Sequence, residues 1–151
     1  MTRKGAESGP EDGAAGNSRS ALSLPTAAPP PITPGPPAPQ QVKFAPAEPA
    51  KGFPNCDSYG FKGVVSDRNG KRLQGVQIVA WEDKVGLLNL TNTDAGGSYL
   101  IEIEAEPGLR KVWVQVFEND IPVSEAVAVE TQINCQTGFQ IYQVNWQEIS
   151  D

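Results

Sequence analysis

The sequence predicts an all-β fold, a sandwich of about seven antiparallel strands behind a disordered proline-rich tail. Short alternating apolar runs recur between turn signals roughly every ten residues from residue 59 onward. No segment shows a helical apolar period. The composition also changes near residue 52: eleven of the fourteen prolines precede it, while all three tryptophans and both cysteines follow it.

The tail is therefore assigned to residues 1–52 and the domain to 53–151. A run such as PTAAPPPITPGPPAPQQ cannot bury enough apolar area to offset ordering its backbone, so it reads as an extended spacer. As a ligand for an SH3-type groove it lacks a basic residue beside its proline run.

In the domain, YGFKGVVS (59–66) turns Phe61, Gly63 and Val65 to one face. Asn69-Gly70 supplies turn residues that tolerate positive φ. GVQIVAW (75–81) sets Val76, Ile78 and Ala80 against Gln77, Val79 and Trp81, and EDKVGLLN then reads as a loop whose Leu87 and Leu88 tuck under the sandwich edge. Asp94-Ala95-Gly96-Gly97 is a tight turn feeding a strand in which Tyr99, Ile101 and Ile103 oppose Leu100, Glu102 and Glu104. KVWVQVF (111–117) sets Val112, Val114 and Val116 against Trp113, Gln115 and Phe117. Two further strands fall near 123–133 and 138–147. In the last, Phe139 and Ile141 compete with Tyr142, Val144 and Trp146 for the core face, which a bulge near 140 would reconcile.

Composition excludes several kinds of function. The charges of the tail nearly cancel, so the acidity behind the chain's net charge of −6 comes from the domain, which lacks the basic stripe that nucleic acid requires. With no histidine there is no Ser-His-Asp or Cys-His catalytic set and no imidazole ligand for zinc or copper. No run approaches a membrane span, and the first residues lack the apolar core of a signal peptide.

Cys56 and Cys135 flank most of the domain and belong to no CxxC pair. As a disulfide they staple the ends of the fold, worth on the order of 4 kcal/mol by the chain-entropy model, and imply an oxidising compartment. The other reading is two buried thiols. A proline-rich stretch leading into a stapled β domain reads as an interior segment of a longer exported protein.

GVVSDRNGKRLQGVQIVAW, TNTDAGGSYLIEI and KVWVQV together resemble the carboxypeptidase regulatory-like domain, a transthyretin-like β-sandwich of about seven strands whose architecture CNA-B-type repeats and carbohydrate-binding-like folds share. The pattern falls on Gly63, Val65, Asp67, Gly70, Leu73, Gly75 and Val76, and on Thr91, Thr93, Asp94, Gly97 and Tyr99. The resemblance speaks to fold and is nearly silent on function. Physics agrees with it: Asp94 bonds turn amides, and Tyr99 enters the core with its hydroxyl at the rim. Transthyretin-like hydrolases of hydroxyisourate depend on His residues and a YRGS motif that are missing here. A CNA-B-like link between Lys62 and Asn145 requires Lys62 to point inward, and alternation points it outward.

Asp67 and Asp94, with Asn69 and Asn92, are oxygen donors in two turns, a weak calcium signal without DxDxDG spacing. Glu102 and Glu104 lie about 7 Å apart on one strand face with no cleft to make them a glycosidase pair. Asn89-Leu90-Thr91 forms a glycosylation sequon that a chance occurrence explains.

Trp81, Leu100, Trp113 and Phe117, with Val79, fall opposite the core positions, where a lone sandwich favours polar side chains. They form the candidate binding face, for a protein or neighbouring domain or for the rings of a polysaccharide. Otherwise a bulge swaps the faces, or the loop 82–90 covers them; the low apolar content of the tail argues against the tail doing so. The expectation is a non-catalytic module of a bacterial surface or secreted protein, structural or protein-binding, with carbohydrate binding as runner-up.

Overall fold

The computed structural model describes residues 35–150. Eleven strands form in this range: β1 (Phe44–Pro46), β2 (Lys51–Phe53), β3 (Ser58–Ser66), β4 (Gln77–Glu82), β5 (Gly86–Asn92), β6 (Ser98–Glu104), β7 (Lys111–Glu118), β8 (Ile121–Pro122), β9 (Val127–Glu130), β10 (Ile141–Gln143) and β11 (Trp146–Glu148). The protein is all-β, with two sheets and no helix among the described residues.

Sheet A runs β9-β7-β4-β5, with β8 beside β7, and is antiparallel throughout. Sheet B centres on β3. One edge of β3 pairs antiparallel with β6, while the other carries β10 and β11 end to end, both parallel to it. β2 lies outside β10 and β1 outside β11, each antiparallel to its neighbour. The expectation of about seven strands, all antiparallel, is corrected here. The last stretch breaks at Val144-Asn145 into two short strands, and it runs in the same direction as β3.

Alternation places the core where the sequence sets it. Phe61, Val65, Tyr99 and Ile101 of sheet B meet Ile78, Ala80, Val112, Val114 and Val116 of sheet A in one buried cluster. Tyr142, Val144 and Trp146 face this cluster, while Ile141 is buried outside it and Phe139 stays 39% exposed. The break thus settles the competition for the last strand. Gly63 makes the crossing possible, because a Cβ there would lie 2.0 Å from the carbonyl oxygen of Val144. The Tyr99 hydroxyl donates to that same oxygen at 2.6 Å, so it is buried and not at the rim.

The expected boundary at 52/53 falls inside the folded unit. β1 and β2 are sheet strands and Phe44 belongs to the core, so the fold reaches well into the proline-rich half; residues 1–34 lie outside the described range. Half of the segment expected as a loop at 82–89 is strand β5. Opposite Ala80/Trp81 its pairing carries a bulge that turns Leu88 toward the core and leaves Leu87 exposed. Cys56 and Cys135 are disulfide-bonded, 79 residues apart in sequence.

Candidate functional site

Each carboxylate that attracts a catalytic or metal reading can be followed to its contacts. Asp67 Oδ1 accepts the amides of Asn69 and Lys71 at 2.8 and 2.9 Å, and Asp94 Oδ1 those of Gly96 and Ser98 at 2.9 Å each. Both are turn-closing side chains. Thr93 completes the second turn: its hydroxyl donates to the Leu73 carbonyl at 2.6 Å and accepts the Val76 amide. Gly97 holds a φ of +77° and packs on Arg72 and Leu73, which joins the two turns. Asp67, Thr93, Asp94 and Gly97, four residues of the family-like pattern, are thus structural fasteners. Glu102 and Glu104 are exposed on β6, and no group of three or more potential metal-ligating side chains occurs among the described residues.

Lys62 stands on the outer face of sheet B with its ammonium 4.1 Å from the Phe53 ring centre. The Asn145 side chain accepts the Val64 amide and donates to Glu48 at 2.6 Å. The two groups are engaged separately. The sequon residue Asn89 is exposed in the middle of β5.

The candidate binding face divides between the two sheets. Trp81 on β4 pairs in register with Trp113 on β7, and Gln77 with Phe117, so these rings share the outer face of sheet A. Trp81 and Phe117 sit 6.4 Å apart between centres, and Lys111 lies over Trp113 at 5.2 Å. Leu87 and Leu90 of β5 extend the patch and are 52% and 46% exposed. The bulge does not swap the faces, because the register of β4 with β7 runs unbroken through Trp81. Leu100 is corrected: it lies on β6 in sheet B, 54% exposed, and does not join the aromatic group. Period-two alternation says which side of its own strand a residue occupies, not which sheet the strand joins.

Gln115, between Trp113 and Phe117, is fully buried although it points away from the core. Its Nε2 donates to Pro37 O at 2.7 Å and to Ser124 O at 3.2 Å. The segment next to β1 therefore covers part of this face, against the expectation drawn from its low apolar content. A carbonyl on a proline-rich backbone needs only a donor, so the contact is polar and invisible to a hydrophobicity argument. Gln115 Oε1 and Trp81 Nε1 are buried without a hydrogen-bond partner among the described residues.

At one end of the sandwich the Tyr59 hydroxyl donates to Glu82 Oε1 at 2.5 Å, under the Arg110 guanidinium at 4.4 Å from the ring. Burial, reinforced by Glu82, pushes the Tyr59 hydroxyl up to about 12. At the other end lies a cleft of about 360 Å³ between the Leu73–Gln77 segment and the β7–β8 hairpin, floored by Phe44 and bordered by Glu148. Nothing in the sequence flagged it, because its walls come from four separated segments.

No protein-family model matches the chain, and no curated protein matches it in sequence. Among solved structures the chain is similar to a 3-chlorocatechol 1,2-dioxygenase from Rhodococcus opacus 1CP, at 12% identity and a TM-score of 0.37 over 84% of this chain and 73% of that one. A likeness at this level carries neither fold type nor activity.

Proposed function

We propose that this chain is a non-catalytic β-sandwich module, similar in type to carboxypeptidase regulatory-like domains, that serves an exported or cell-surface protein as a structural or protein-binding domain. The observation that carries the reading is the outer face of sheet A, where Trp81, Trp113, Phe117, Leu87 and Leu90 form a patch on the side an isolated sandwich leaves polar. The disulfide supports an oxidising compartment, and no helix among the described residues is long and apolar enough to cross a membrane. The non-catalytic reading is supported by Asp67 and Asp94, each with an oxygen committed to turn amides, and by Glu102 and Glu104, which stand open to solvent on a strand.

The test combines sedimentation of the full chain with a tryptophan-fluorescence titration against soluble polysaccharides, for the natural sequence and for Trp113→Ala. The reading expects concentration-dependent association that Trp113→Ala weakens while far-UV circular dichroism is unchanged. Saturable polysaccharide binding that disappears in Trp113→Ala would instead move the face to carbohydrate recognition.

A further inference from the structure

The cleft at the β7–β8 end gathers polar side chains that the fold itself does not use. The turn residues Asn55, Asp67, Asp94 and Asn134 each spend a side-chain oxygen on backbone amides. Around the cleft, Gln74, Gln77, Asn119 and Glu148 make no side-chain hydrogen bond or ion pair among the described residues, yet they converge on one concavity. Asn119 is held in place by a two-residue hairpin in which it and Asp120 both adopt left-handed φ, 52° and 64°. Beneath these groups Phe44 forms a buried floor and Phe117 a partly exposed wall.

The composition of the lining selects among ligands. Amides both donate and accept, a carboxylate accepts two hydrogens, and an aromatic wall takes an apolar ring face. Glu118 and Glu148 border the cleft, and the ammonium of Lys43 is held by Glu118 at 2.6 Å, so an anionic ligand meets net repulsion. A neutral group with an apolar face and a rim of hydroxyls matches all of these features, and the volume suits a small-ligand site.

We propose that this cleft is a binding site for a neutral saccharide, with Phe117 stacking on a sugar ring and Gln74, Gln77, Asn119 and Glu148 pairing with its hydroxyls. Gln77 and Phe117 also border the groove that leads to Trp81 on the outer face, so a longer oligosaccharide extends from the cleft toward Trp81. The site goes beyond the interface reading: the two share Phe117, while Gln74, Asn119 and Glu148 have no part in the aromatic patch.

The experiment is a heteronuclear NMR titration of the full, isotope-labelled chain with cellohexaose, chitohexaose, maltohexaose and laminarihexaose. Saturable shifts of the amides at 74–77 and 117–120 are expected for at least one of them. Its affinity should fall about ten-fold in Gln77→Ala and in Glu148→Ala, the loss of one good hydrogen bond, and remain unchanged in Glu102→Gln, on the exposed face of β6. Asn119→Gly keeps the left-handed turn and serves as a third variant that leaves the fold intact. Absence of shifts with all four sugars at up to about 10 mM overturns the proposal. So does binding that none of the three cleft variants weakens.

Discussion

Asp94 Oδ1 accepts the amide hydrogens of Gly96 and Ser98, so Asp94→Ala leaves two donors unpaired in a tight turn. A loss of about 1–2 kcal/mol in urea unfolding is expected, with Asp94→Asn retaining most of the stability because one acceptor oxygen remains. The three tyrosines add a pH dependence. Burial raises Tyr59, Tyr99 and Tyr142 above their ordinary value of 10, with Glu82 adding to Tyr59 and Glu130 to Tyr142. A proton held more tightly by the folded chain gives stability that is full below pH 10 and is lost as pH climbs through the folded value. Melting temperature should therefore fall between about pH 10 and 12, and Tyr59→Phe should flatten that slope; an equally steep decline in the variant would remove Tyr59 from the account.

Among the elements, β1 and β2 decide where the folded unit begins. β1 covers the free edge of β11, whose Trp146 is fully buried, and β2 covers that of β10. A chain starting at residue 53 loses β1, most of β2 and the Phe44 side chain from the core. Removal of a buried Phe alone costs about 3–5 kcal/mol. We expect residues 53–151 to melt well below residues 35–151, and equal melting temperatures would show that the two strands add nothing. The strands escaped the sequence reading because each has only three residues and β1 ends in a proline. Period-two alternation cannot register over so short a span.

For the whole molecule, the Cys56–Cys135 disulfide ties the approach to β3 to the loop before β10 and closes a loop of 79 residues in sequence separation. Replacing both cysteines with serine is expected to lower stability by about 4 kcal/mol, read from equilibrium unfolding. A much smaller loss would indicate a compact unfolded state that the cross-link barely constrains. Two sheets share one core, and the outward faces of both carry side chains that a core argument leaves unexplained.

The sequence by itself determined the all-β class, the core faces of β3, β4, β6 and β7 and the Asp67 and Asp94 turns, because each depends on near neighbours or on a count, while it left the cysteines as a disulfide or as two thiols. Only the tertiary structure decided that β10 and β11 run parallel to β3, that Leu100 and Trp81 belong to different sheets, that Gln115 pairs with Pro37, and that four distant segments enclose a cleft. The physical reason is range. Alternation records which side of a strand faces water, whereas partner choice, strand direction and cleft formation depend on contacts between residues far apart along the chain.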